Sequence, residues 1–195
     1  MNNSRKAKYV FQDGRIYEGE FVNNLPDGVG KMTFANHDTY EGHWDKGNMQ
    51  NHGTYRFFSV KHDKFRGYYE GEFKDSMFSG LGKMVYPDKS EYCGLWQNGK
   101  KNGYGQFVMP FGDTIVGFWL NDEICEGTYI FEDGSKFVGK FVNGKFDGFG
   151  TFFSINGAIL QGEWKQNKLI NGYQYLPNGD MAPVKDNTVI ITSYE

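Results

Sequence analysis

The chain has 195 residues, a formal net charge of −3, 38% hydrophobic and 18% aromatic residues, and 27 glycines. A weakly acidic chain with a pI near 5.8 lacks the basic footprint of a general nucleic-acid binder and disfavours adsorption to an anionic membrane. No apolar run approaches the length of a membrane-spanning helix, and the two cysteines, Cys93 and Cys125, form no CxxC or zinc spacing.

The first residues, MNNSRKAK, are basic without an apolar stretch. No secretory signal is expected there, and residues 1–8 are expected to be disordered. Tyr9-Val-Phe-Gln-Asp-Gly14 then reads as the second half of a truncated repeat, a cap over residues 9–16. Seven full repeats follow, starting at Tyr17 (YEGEF), Tyr40 (YEGHW), Tyr69 (YEGEF), Tyr92 (YCGLW), Ile115 (IVGFW), Phe137 (FVGKF) and Leu160 (LQGEW). Their intervals are 23, 29, 23, 23, 22 and 23 residues, the range of a solenoid or array. The array is expected to end near residue 182, with 183–195 as a tail.

Each repeat predicts a β-hairpin. In YEGEF, Tyr17, Gly19 and Phe21 share one parity and Glu18 and Glu20 the other, the period of a half-buried strand. Asn-, Asp- and Gly-rich turns follow, then a second strand opened by glycines such as Gly28 and Gly30 or Gly80 and Gly82. Glycine weakens a strand. Two per hairpin make sense if aromatic rings lie flat over the bare backbone. Single hairpins are unstable alone, so the repeats predict a continuous aromatic stripe. Three repeats depart from the pattern. The Tyr40 repeat has Asn51 in place of the first glycine and an insertion around Ser59–Arg66. The Ile115 and Leu160 repeats are each one residue short.

These residues resemble the MORN (membrane occupation and recognition nexus) repeat, roughly YxGxWxxGxxxGxGxxxxxdGxxY, from about Tyr9 to Gly179. The resemblance implies an all-β fold, an elongated single-layer twisted antiparallel sheet of consecutive hairpins. Relatives include ciliary and flagellar structural proteins, cortical scaffolds, and regulatory ends of lipid kinases and of a lysine methyltransferase. The resemblance therefore leaves two functions open. One is a cytoplasmic scaffold for a protein partner in a ciliary, flagellar or other cytoskeletal assembly. The other is a phospholipid-binding tether.

The chain is not expected to be an enzyme. His37, His43, His52 and His62 fall at no metal-binding or catalytic spacing, and the paired carboxylates Glu18/Glu20 and Glu70/Glu72 recur at the outward parity of a strand. The Gly-x-Gly pairs precede strands rather than helices, so no dinucleotide loop, cofactor or metal is expected. Partner-binding candidates are Leu95, Tyr104, Val116, Phe118, Ile130, Phe149 and Phe153, apolar residues at outward positions of the later repeats, together with Trp96 and Trp119 of the aromatic stripe. A contiguous apolar patch marks an interaction site, and an amphipathic helix is the expected occupant. Cover by the Val184–Glu195 tail and a homotypic contact are the alternatives. Lys61, Lys64 and Arg66, in the insertion, are the candidates for contact with anionic lipid.

Overall fold

The computed structural model describes residues 5–190, with side chains through residue 185. It is all-β, and its strands follow one another in sequence order in an open antiparallel sheet. Where one repeat domain was expected, the chain divides into two compact units, Met1–Lys100 and Lys101–Glu195. The first holds β1 (Arg5–Val10), β2 (Ile16–Val22), β3 (Leu25–Thr33), β4 (Thr39–Asp45), β5 (Asn48–Ser59), β6 (Lys64–Lys74), β7 (Met77–Val85) and β8 (Glu91–Gln97). The second is built from β9 (Lys100–Val108), β10 (Thr114–Leu120), β11 (Glu123–Ile130), β12 (Lys136–Val142), β13 (Lys145–Phe153), β14 (Ile159–Lys165), β15 (Lys168–Tyr175) and β16 (Met181–Ile190).

Two boundaries differ from the sequence reading. Residues 5–8, expected to be disordered, belong to β1, which pairs with β2 from Arg5↔Phe21 to Val10↔Ile16. Residues 183–190, expected as tail, belong to β16, which lies beside β15 with Gly172 opposite Val184. In both places a short alternating segment gains backbone partners from its neighbour. Residues 191–195 of the expected tail lie outside the described residues.

The register puts glycine opposite glycine. In the first unit the row runs Ala7, Gly19, Gly30, Gly42, Gly53, Gly71, Gly82 and Gly94 across eight strands. In the second it runs Gly105, Gly117, Gly127, Gly139, Gly150, Gly162 and Gly172, and ends on Val184. The reason is a ring. A Cβ on Gly30 would fall on the hydroxyl and ring of Tyr17, on Gly53 it would meet Tyr40, on Gly82 Tyr69, and on Gly150 Phe137. Those rings are buried, as are Phe21, Trp44, Phe73, Phe141 and Trp164. This inward face is the core.

The first glycine of each Gly-x-Gly pair has a different task. Gly28, Gly103 and Gly148 have φ of 100°, 105° and 106°, a region hostile to a Cβ. Asn51 replaces this glycine in the Tyr40 repeat at φ 54°, and asparagine is among the residues that enter the left-handed region most readily. In the short repeats the missing residue comes out of the bulge. The register passes from Gly19↔Gly30 to Phe21↔Pro26 in the Tyr17 repeat, but from Phe118↔Glu126 to Trp119↔Ile124 in the Ile115 repeat.

Candidate functional site

The inward stripe is locked by repeated hydrogen bonds. The hydroxyls of Tyr17, Tyr40, Tyr69 and Tyr92 donate to the carbonyl three residues on, in Glu20, His43, Glu72 and Leu95, at 3.1, 3.0, 2.9 and 3.2 Å. The indole Nε1–H of Trp44, Trp96, Trp119 and Trp164 donates to the carbonyls of Gly30, Gly82, Gly105 and Gly150 at 3.0–3.2 Å. Trp96 and Trp119 are only 5% and 4% exposed. These two candidates are therefore corrected: they are core residues, turned inward by strand parity and held by the glycine carbonyls.

The other candidates do stand on the outward face. In the second unit Tyr104 is 63% exposed, Phe118 51% and Phe149 64%, and Ile130 is also exposed, while Val116 and Phe153 are half-buried. The pairing brings them together in transverse rows. Tyr104 lies opposite Phe118. Gln106, Val116, Thr128, Val138, Thr151, Gln161, Tyr173 and Pro183 follow one another across β9 to β16. A third row runs Val108, Thr114, Ile130, Lys136, Phe153, Ile159, Tyr175 and Met181. Tyr173, Tyr175 and Met181 were missed from the sequence. Their parity places them here once β15 and β16 are recognised as strands.

The middle row contains no charged residue. Its counterpart in the first unit reads Lys8, Glu18, Lys31, Glu41, Thr54, Glu70, Lys83 and Cys93, with charges of both signs interspersed and a Lys8–Glu18 ion pair of 2.6 Å at one end. Leu95, the remaining candidate, lies in that unit opposite Leu81, and both are exposed. On the second unit's outward face an open depression of about 550 Å³ crosses the Gly162–Gly172 pair. Phe149, Tyr173, Tyr175 and Pro183 form its apolar walls.

Lys61, Lys64 and Arg66 are exposed, but the insertion that carries them is an ordered hairpin extension rather than a loop. It lengthens β5 and β6 to 12 and 11 residues around a single 3-10 turn, Val60–His62. Asp38 anchors it: the buried carboxylate accepts from the Tyr55 hydroxyl at 2.8 Å and the Phe58 N–H at 2.6 Å. Asp113 repeats the device, accepting from the Tyr129 hydroxyl and the Glu132 N–H. Burial and the neighbouring carboxylates raise the phenol pKa of Tyr55 and Tyr129. Sequence reading missed both aspartates. The signal available was an Asp two residues before Tyr40 and before Ile115.

Among the described residues no three His, Cys, Asp or Glu side chains gather as a metal site, and no helix is long and apolar enough to cross a membrane. Cys93 and Cys125 are free thiols.

Comparison with known proteins fits this architecture. The MORN repeat family matches residues 17–39, 40–59, 69–91, 92–114 and 137–159, more than half of the chain. The chain belongs to the MORN-repeat family. The Ile115 and Leu160 repeats escape the family match, yet they form hairpins β10–β11 and β14–β15 in the same register. Alsin of Mus musculus and of Homo sapiens is 35% identical over 126 residues, 59% of this chain. The human ALS2 C-terminal-like protein is 28% identical over 106 residues, 52% of the chain. The match spans only 7% of Alsin and 11% of the second relative. Among solved structures, the TCP domain of Drosophila melanogaster SAS-4, in complex with a proline-rich motif of Ana2, superposes with a TM-score of 0.51 at 13% identity. That alignment covers 91% of this chain and 88% of the TCP domain. The likeness is one of fold.

Proposed function

We propose that this MORN-repeat chain is a non-catalytic scaffold that holds a protein partner on the outward face of its second unit. The observation that carries the reading is the uncharged row through Val116, Val138 and Tyr173, flanked by exposed Tyr104, Phe118 and Phe149. An uncharged centre beside exposed aromatics, with Glu126, Lys140 and Glu163 in the neighbouring row, is the composition of an apolar interface core with a charged rim. The first unit keeps interspersed charges of both signs at the same positions. The SAS-4 TCP domain supports the reading by example, since a domain of this fold is found in complex with a proline-rich motif. The proposal takes the setting to be a cytoplasmic, cytoskeletal or ciliary assembly, in line with the family resemblance.

The test is a pull-down comparing wild type with a folded Val116→Asp/Phe118→Asp variant. A partner retained by the wild type and lost by the variant is expected. A partner retained equally by both overturns the assignment of the face, and no retained protein overturns the scaffold reading.

A second reading, a phospholipid tether, draws on the hairpin extension. Val60 and Phe65 are exposed there among Lys61, Lys64 and Arg66, and none of these three cations has an ion pair among those described. An apolar tip flanked by cations suits an anionic interface. Cosedimentation that does not change with the anionic lipid content of the vesicles rules this reading out.

A further inference from the structure

β1 holds the place of a repeat's second strand, with no first strand beside it among the described residues. Later second strands of the first unit each lie between two first strands: β3 pairs with β2 and β4, and β7 with β6 and β8. β1 pairs with β2. The turn after it sets which backbone groups stay open. The Phe11 N–H donates to the Arg15 carbonyl at 2.8 Å. Antiparallel alternation then turns the N–H and C=O of Tyr9 and Ala7 toward β2, and those of Val10, Lys8 and Lys6 toward the free edge. No proline interrupts this edge.

Later repeats show what a further strand would cover. Tyr9 stands where Met32 and Met84 stand, opposite the first tyrosine of the following repeat. Those methionines, with a strand on either side, are 2% and 6% exposed, whereas Tyr9 is 53% exposed. On the outward face Lys8 takes the place of Lys31 and Lys83. Lys31 lies between Glu18 and Glu41. Lys83 lies opposite Glu70 of β6 and pairs with Glu91 of β8 at 2.7 Å. These two cations therefore have carboxylates on both flanking strands. Lys8 and Lys6 have theirs on β2, Glu18 at 2.6 Å and Glu20 at 3.8 Å, and their side chains remain 63% and 82% exposed.

The edge also selects against the array's own strands. Ala7 occupies the row position of Gly30, Gly53 and Gly82, where a Cβ would fall on the tyrosine of the same repeat's first strand. Its methyl bars a strand that lays a ring over this row, as β2, β4 and β6 do. Lys6 and Lys8 repel the β1 edge of a second copy by like charge.

We propose that the free edge of β1 is a β-strand addition site for an acidic, extended segment of a protein partner. The segment runs antiparallel to β1, with carboxylates opposite Lys6 and Lys8 and aliphatic side chains opposite Ala7 and Tyr9. Main-chain bonds to Lys6, Lys8 and Val10 hold it, and the lysines choose its charge. The site lies within the first unit and stands independently of the surface proposed above.

The experiment titrates the ¹⁵N-labelled full chain with an acetylated, amidated seven-residue peptide alternating valine and glutamate, and separately with its valine–lysine counterpart. The acidic peptide is expected to move the amides of Lys6, Lys8 and Val10 more than those of Ala7 and Tyr9, and the basic one to leave all five nearly in place. Glutamates opposite Lys6 and Lys8 turn their own N–H groups toward β1. N-methylation of the glutamate amides is therefore expected to weaken binding about fivefold or more, and N-methylation of the valine amides to leave it nearly unchanged. Absent shifts with the acidic peptide, equal shifts with both peptides, or equal binding of the two methylated peptides would overturn the proposal. Shifts of the β1 amides with chain concentration alone would give the edge to a second copy and overturn it as well.

Discussion

At the scale of single residues, inward and outward positions of one strand carry different energetic weight. Gly82 sits where the Tyr69 ring crosses the backbone, so a branched side chain there must displace a fully buried ring. Gly82→Val is therefore expected to cost about 3 kcal/mol or more, at the upper end of overpacking effects. Glu70 faces outward and exposed between Thr54 and Lys83, and Glu70→Ala should stay within about 0.5 kcal/mol. Thermal melts of the two variants check this, and equal melting temperatures would refute the ring-over-glycine packing. Not every outward carboxylate is idle. Glu72 accepts the Leu81 N–H at 3.0 Å, and Glu20 holds a longer contact with the Val29 N–H at 3.4 Å. The two glutamates of YEGEF thus divide into a solvated one and one that ties the hairpin's bulge.

At the scale of the element, the hairpin was legible and its fastenings were not. Period-two parity and Asn/Gly turns are local signals, and they located both strands of every repeat, including the Ile115 and Leu160 hairpins that the family match passes over. Parity alone also sorted inward from outward residues. It left the weight of Trp96 and Trp119 open, because whether a stripe of rings is core or dock depends on the next repeat closing over it. The turn aspartates were invisible for a related reason: Asp38 and Asp113 find their partners 16 to 20 residues away. Their role makes a prediction. Asp113→Ala leaves the buried Tyr129 hydroxyl and the Glu132 N–H without this acceptor, at an expected cost of about 3 kcal/mol in urea unfolding. Tyr129→Phe removes the donor and should cost about 1 kcal/mol. Because the two side chains share one bond, the double variant is expected to cost clearly less than the sum of the single ones. Strict additivity would show that the carboxylate does not act through this phenol.

At the scale of the whole molecule, buried phenols, four in the first unit and Tyr129 in the second, make alkaline pH a weakness of the fold. Burial pushes the Tyr17 phenol up to about 12, with Glu20 adding to the effect. Burial likewise raises Tyr40, Tyr55, Tyr69 and Tyr129. A folded-state pKa above the unfolded value of about 10 means that the native state keeps its protons while the unfolded chain releases them. The stability these groups contribute is complete below about pH 10 and is lost as pH rises through the folded values. The melting temperature should therefore stay flat from neutral pH to just below the phenol range, then fall steeply as the four first-unit tyrosines respond together, with Tyr129 the responding group of the second unit. Phe137 shows that the position over the glycines tolerates a ring without a hydroxyl. Tyr40→Phe gives up the bond to the His43 carbonyl and should melt lower at neutral pH, but its alkaline decline should be shallower than that of the wild type. Melting curves collected across the alkaline range read this slope directly. Parallel declines for the two proteins would show that the stripe tyrosines do not govern the transition, and that its buried hydroxyls are reached by solvent before the sheet unfolds.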